Sequence, residues 1–230
     1  MRNIKIDMHV HTIFSGDSLI KPVDLIKYAK RSNLDGIAIC DHDTLTAYRI
    51  LEKINKNENF IIIPAMEIKT NIGEIIGYFL EEEISTEDNN FFTIIRKIKK
   101  QNGLVVIPHP FDFLRNNRLK MKLITEKILK KYIDGIELMN SRIIFKSCIS
   151  KTQDFLSKYK KILFETGGSD AHTVREIGNG FTLINNLSDF SLESIKKALL
   201  TKNSKSMGHL SSPFVHVTTV LNKLKKGYYF

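Results

Sequence analysis

Asp7, His9 and His11 occupy alternate positions in Asp7-Met8-His9-Val10-His11, at the end of an apolar segment of strand length. Successive side chains of a strand point to opposite faces, so this spacing predicts that all three project from one face. Imidazole and carboxylate at that spacing suit a divalent ion such as zinc, manganese or iron. The same chemistry returns in Asp41-His42, Pro108-His109-Pro110 and Ser169-Asp170-Ala171-His172, and five of the seven histidines lie in these segments. Groups so distant in the chain meet only in a fold that brings many strand ends together.

The pattern along the chain supplies such strands. Apolar runs at 4–10, 36–40, 60–64, 104–107, 135–138 and 162–166 alternate with stretches of helical periodicity, which is the signature of βα repeats. Pro22 opens one helix at its first turn, and Ser191 with Ser194 has capping spacing for another. Residues 67–70 and 74–80, across an Asn71-Ile72-Gly73 turn, read as a hairpin inserted in the repeat. The polar stretch 81–90 reads as a loop leading to a helix through Lys100.

Six or seven parallel strands build either an open doubly wound sheet or a barrel. The candidate ligands favour the barrel, because each falls at or just after the C-terminal end of a predicted strand, where barrel active sites are assembled. Thr166-Gly167-Gly168-Ser169 lacks the lysine and spacing of a phosphate-binding loop, and there is no internal repeat or low-complexity linker. At 230 residues a single domain is the expectation, with the barrel over 1–200. Residues 201–230 then form a C-terminal extension packed on it, an appended strand and helix.

Composition narrows the setting. With 42% hydrophobic and 26% charged residues the chain is ordinary for a globular protein. Cys40 and Cys148 make no disulfide framework, and Cys40 reads as a small buried hydrophobe. No apolar run approaches membrane-spanning length and the first strand begins within a few residues of Met1, so the expectation is a cytoplasmic protein with no membrane partner. The net charge of +10 favours anionic ligands. The lysines are spread over many helices, which reads as solvated faces before a dedicated nucleic-acid patch.

Asp7-Met8-His9-Val10-His11-Thr12, Asp41-His42-Asp43-Thr44, Glu67, His109-Pro110 and Gly168-Ser169-Asp170-Ala171-His172 together resemble the four motifs of the polymerase and histidinol phosphatase (PHP) superfamily, in order and spacing. The resemblance implies a distorted (β/α)7 barrel with a metal cluster at the C-terminal ends of its strands. It also implies two or three divalent ions (Mn2+, Zn2+ or Fe2+) and hydrolysis of phosphate esters. By the same resemblance His9, His11, Glu67 and Asp170 hold a first ion, and Glu67 bridges to a second that His109 completes. Asp17, His42 and His172 hold a third, and Asp7 orients a ligating histidine. One departure is Glu74, which stands where many relatives carry a histidine. A carboxylate still binds such ions, but its added negative charge shifts metal preference and occupancy.

Phosphate-ester hydrolysis needs a nucleophile at neutral pH and neutralisation of phosphoryl charge, and paired ions supply both. Arg142 and Arg175 are candidates for holding phosphate oxygens, although arginine is common on surfaces. His42 or His109 is a candidate to protonate the leaving oxygen. Glu137 reads equally as a group behind the site or a plain strand-end carboxylate. Asp24, Asp35, Asp112 and Asp134 read as caps or turn residues, and His209 and His216 as hydrogen-bonded core histidines. Phe111 and Phe113 read as rim packing before base stacking. Three functions compete: a phosphoesterase acting on a small phosphorylated substrate or nucleotide, a 5'-3' exonuclease on short RNA or single-stranded DNA, and a non-catalytic accessory module that binds metal or nucleic acid. Filled ligand positions rank the last lowest.

Overall fold

The computed structural model describes residues 2–55, 59–187, 189–217 and 219. In chain order its elements are β1 (Arg2–Val10), α1 (Pro22–Arg31), β2 (Gly36–Ile39), α2 (Thr46–Ile54), β3 (Ile61–Thr70), β4 (Gly73–Tyr78), α3 (Phe91–Lys100), β5 (Leu104–Ile107), α4 (Glu126–Tyr132), β6 (Gly135–Asn140), α5 (Lys146–Tyr159), β7 (Phe164–Gly168), β8 (Gly180–Leu187), α6 (Leu192–Leu200) and β9 (Ser204–Gly208). The local signals explain several of these boundaries. Pro22 stands at the start of α1, the Asn90 side chain accepts from Phe92 N and Thr93 N at the start of α3, and Ser191 accepts from Ser194 N at the start of α6.

The strands form one sheet in the order β7-β6-β5-β4-β3-β2-β1-β8-β9. β1, β2 and β3 run parallel, as do β5, β6 and β7. The sheet curls until its ends meet, giving a nearly closed α/β barrel. At the seam Gly167 N donates to Thr182 Oγ1 (2.8 Å), Ser206 N donates to Glu165 Oε1 (2.9 Å) and Asp170 N donates to His9 O (2.7 Å). The approach of β7 to β8 demands glycine: a Cβ on Gly180 would lie 2.3 Å from Gly168 O.

Three details depart from the sequence reading. β3 is one continuous strand through Pro64, and β4 is a full barrel strand, paired antiparallel with both β3 and β5. The hairpin is therefore part of the barrel wall, because Ile75, Ile76 and Tyr78 are buried there. β8 was not foreseen; it runs antiparallel between β1 and β9 and brings the described strands to nine. Its alternation is diluted by Thr182 and the Asn185-Asn186 pair, which mask the hydrophobic period. Beyond α6, β9 continues the sheet and residues 214–217 are helical; the rest of the foreseen terminal helix lies outside the described residues, apart from 219.

Apolar packing fixes the helices around the barrel. Val10, Ile37 and Ile39 pack with Leu25 and Ala29 of α1 and Ala47 and Leu51 of α2. On the other side Ile94, Ile95 and Ile98 of α3, Leu129 of α4 and Leu156 of α5 cover Val105, Ile107, Ile136 and Leu138. Among the described residues no helix is long and apolar enough to cross a membrane.

Candidate metal centre

The C-terminal ends of β1, β2, β3, β5 and β7 deliver the foreseen ligands to one place. His9 Nε2 and His11 Nε2 lie 3.0 Å apart. Asp170 Oδ1 is 3.8 Å from the first and 3.4 Å from the second. Glu67 stands between two groups of imidazoles. Its Oε2 is 3.5 Å from His9, 3.3 Å from His11 and 3.6 Å from His42 Nδ1, while its Oε1 is 3.0 Å from His109 Nε2. Glu74, from β4, joins Glu67 and His109 in a buried triad, and Asp17 joins His11 and His172 in another. His172 Nε2 is 3.3 Å from Asp17 Oδ2, and His42 Nε2 is 3.9 Å from the same oxygen.

Hydrogen bonds at the far nitrogens settle which imidazole atoms face the cluster. His9 Nδ1 lies 3.0 Å from Glu137 Oε1, and an ionised carboxylate only accepts. His172 Nδ1 lies 2.8 Å from Asp170 O, a carbonyl that likewise only accepts. Ser15 Oγ has one proton, which it gives to Asp41 Oδ1 (2.8 Å), so His11 Nδ1 at 2.8 Å must be the donor to Ser15. In their neutral forms all three rings therefore carry the proton on Nδ1 and present a bare Nε2 lone pair inward.

Two such lone pairs 3.0 Å apart repel unless a positive charge lies between them, either a proton, which, against the effect of burial, the carboxylates around His9 and His11 favour by raising both rings, or a metal ion. Ligand atoms about 2.1 Å from one ion, at tetrahedral or octahedral angles, stand about 3.0–3.5 Å from each other, which matches most of these separations. Asp170 Oδ1 and His109 Nδ1 are buried and have no hydrogen-bond partner, and the first of these points among the imidazole nitrogens. The donor set of imidazoles and carboxylates thus fits divalent ions.

Burial makes the electrostatics strong. Burial alone would raise the Glu67 carboxyl, but when the surrounding rings carry a proton in place of an ion, the charge of His9 and the N–H groups of His109 and His11 hold it well below the usual range. Asp170 is likewise held low against its burial, first by the Arg115 guanidinium and then by His9. Glu74 goes the other way, pushed up to about 7 by burial and by the Glu67 charge. Two ligand positions carry backbone strain as well: His109 has φ +29° and Asp170 has φ +55°. Such left-handed geometry in non-glycine residues costs about 1 kcal/mol or more each and is held by the surrounding structure.

Of the residues around the cluster, some stand where the sequence reading placed them and others do not. Asp7 is in none of the candidate ion triads and accepts from the backbone N–H groups of His9 (3.2 Å), Ser169 (2.8 Å) and Gly178 (2.9 Å), tying the ends of β1 and β7 together. Burial pushes its carboxyl up to about 6 despite these bonds. Asp41 is a brace too: its oxygens take Thr12 N (2.6 Å), Thr12 Oγ1 (2.5 Å) and Ser15 Oγ (2.8 Å). Arg142 is buried rather than on the surface or the phosphate side, with Nε 3.3 Å from Glu176 Oε1 and Nη2 donating to Val215 O and Thr219 Oγ1. Arg175 is exposed in the turn after His172 and makes no hydrogen bond or ion pair with the described residues. His209 is exposed and His216 half-buried, its Nε2 donating to Arg142 O (2.9 Å), so neither is a core histidine. Glu137 stands behind the cluster. Arg115 was not foreseen: it ion-pairs with Asp170 Oδ2 and, at 3.2 Å, with Asp112 Oδ2, and the only sequence signal was its place in the loop after His109.

Comparisons with known proteins bear on the family and the fold. The family model described as PHP domain matches residues 7–200. An uncharacterized protein of Methanocaldococcus jannaschii is 36% identical over 179 residues, covering 77% of this chain and 69% of that protein. A crystal structure of a two-domain protein from Bacteroides vulgatus, described as containing a predicted PHP-like metal-dependent phosphoesterase, superposes with a TM-score of 0.72 at 22% identity. That match covers 90% of this chain and only 65% of the other. PsfC from Pseudomonas syringae superposes with a TM-score of 0.70 at 16% identity, covering 98% of this chain and 99% of that one. At these identities the two structures share the fold.

Proposed function

The chain belongs to the PHP domain family, matched over residues 7–200, and on that premise we propose that it is a metal-dependent phosphoesterase acting on a phosphate monoester or nucleotide. The observation that carries the reading is the pair of inward Nε2 lone pairs on His9 and His11, 3.0 Å apart beside the unbonded Asp170 Oδ1. His9, His11 and Asp170 would hold one ion, and Glu67, Glu74 and His109 a second with Glu67 between them. Asp17, His42 and His172 would hold a third. Bound divalent ions supply a nucleophile at neutral pH and neutralise charge on the phosphoryl oxygens.

The protein's own groups then position and protonate the substrate. Arg115 is fixed at the mouth by Asp112 and Asp170, and its planar guanidinium suits two phosphoryl oxygens. Arg175, exposed nearby in sequence to His172, is a second phosphate contact in this reading. His42 has a third of its side chain exposed while His9, His11, His109 and His172 are almost fully enclosed, so when the third ion is absent and the His42 ring is free to carry a proton, His42 is the imidazole a leaving oxygen can reach. His109 faces Glu67 and serves as a ligand before it serves as an acid.

Purified protein supplied with manganese should release phosphate from an aryl phosphate, and His9→Ala and Asp170→Ala should each abolish that release. Undiminished turnover in both variants would overturn the mechanism.

A further inference from the structure

The loop from His109 to α4 has two sides. Arg115 reaches inward to Asp170, whereas Phe111, Phe113, Arg118, Lys120 and Lys122 line a cleft of about 710 Å³, closed on its other side by Lys151 of α5. The cleft begins at Pro110, the residue after His109, and no carboxylate lines it. Lys120, Lys122 and Lys151 are exposed and form no ion pair with the described residues. The loop itself is anchored: Glu74 N donates to Asn117 O (2.8 Å), Lys120 N donates to Ile72 O (2.8 Å), and Arg118 Nη1 donates to Phe113 O (3.2 Å) and Arg115 O (3.0 Å). At its edge Phe113 stacks on Phe145, centroids 5.0 Å apart and planes 25° from parallel, with the two side chains half and somewhat less than half exposed.

Uncompensated cations in a fixed cleft beside exposed aromatic faces are the two ingredients that hold a single-stranded polynucleotide, phosphates on the lysines and bases on the rings. We propose that this cleft is a subsite for further nucleotides of a single-stranded oligonucleotide whose terminal phosphate lies at the metal centre. The proposal rests on the phosphoesterase reading and narrows its substrate: a mononucleotide fills the metal centre alone, and a longer strand also fills the cleft.

The test is binding of a labelled hexanucleotide followed by fluorescence anisotropy, with aryl phosphate turnover measured on the same preparations. In the K120E/K122E/K151E variant Kd for the hexanucleotide should rise about tenfold or more, and the slope of log affinity against log salt should fall by about 2, near 0.7 for each lost cation. Phe113→Ala should weaken binding about fivefold or more through lost base stacking. Both variants should turn over aryl phosphate within about twofold of wild type. Unchanged hexanucleotide affinity in the triple variant overturns the cleft, as does polyglutamate competing as well as the oligonucleotide, since that marks a general polyanion surface. Loss of aryl phosphate turnover alongside hexanucleotide binding marks a misfolded metal centre in the variant and overturns the assignment of these residues outside it. Wild-type protein that binds the strand through these residues but hydrolyses no phosphate ester overturns the phosphoesterase reading and leaves the cleft as a binding site.

Discussion

Glu137 divides its two oxygens between two ligand histidines: Oε1 lies 3.0 Å from His9 Nδ1, while Oε2 accepts from His109 N and from Asn140 Nδ2, each at 2.9 Å. In Glu137→Gln one of these acceptors becomes an NH2 donor that confronts another N–H, so either the His9 tautomer inverts or the His109 backbone loses its partner. Metal affinity should fall about 10–100-fold, the usual cost of losing a group that orients a ligand. Competition with a chromophoric chelator measures it, and unchanged affinity would contradict the tautomer argument. Glu74→Ala should remove one ion per chain, counted by elemental analysis, because Glu74 shares its triad only with Glu67 and His109. At this scale the ligands were legible because imidazole and carboxylate declare their chemistry by type. Glu137, Ser15, Asp41 and Arg115 were not, since their roles follow from what they touch. Asp7 has the spacing of a ligand, but the resemblance makes it a group that orients a ligating histidine, and its three acceptor contacts, one of them to His9 N, suit that task.

Strands and helices were legible where a single period dominates. The buried β5 run and the α3 boundary at Lys100 follow from apolar length and periodicity, whereas β8 carries polar residues on a half-buried face and escapes that signal. β8 nevertheless closes the barrel, and Thr182 is the residue that joins it to β7: its Oγ1 accepts from Gly167 N at 2.8 Å and donates to Gly167 O at 3.1 Å. Thr182→Val keeps the shape and β-branching but strands both backbone groups in a buried seam. Stability should fall by about 2–4 kcal/mol, from two groups at about 1–2 kcal/mol each. Urea unfolding reads this as a lower midpoint at unchanged slope. Thr182→Ser, which keeps the hydroxyl, should lose markedly less; equal losses would assign the effect to packing and not to the hydrogen bonds.

For the whole molecule, the barrel was legible from where the ligands fall, since groups from the ends of β1 and β7 converge only when the sheet curls shut. The same convergence makes the ions part of the fold's stability. Four carboxylates (Asp17, Glu67, Glu74 and Asp170) and several inward lone pairs are buried at the barrel mouth, where each unsatisfied polar group opposes folding. An ion that binds this cluster and not the unfolded chain stabilises the fold by about 2.7 kcal/mol at a hundred times its Kd. In a chain of 230 residues, with about 2–4 °C of Tm per kcal/mol, manganese added to chelator-treated protein should raise Tm by about 5–10 °C. The rise should shrink in Glu137→Gln at the same manganese concentration, because weaker binding lowers the ratio of ion to Kd. A Tm that manganese leaves unmoved would mean that the imidazoles and carboxylates satisfy one another, and the convergent lone pairs would then need an explanation other than a metal ion.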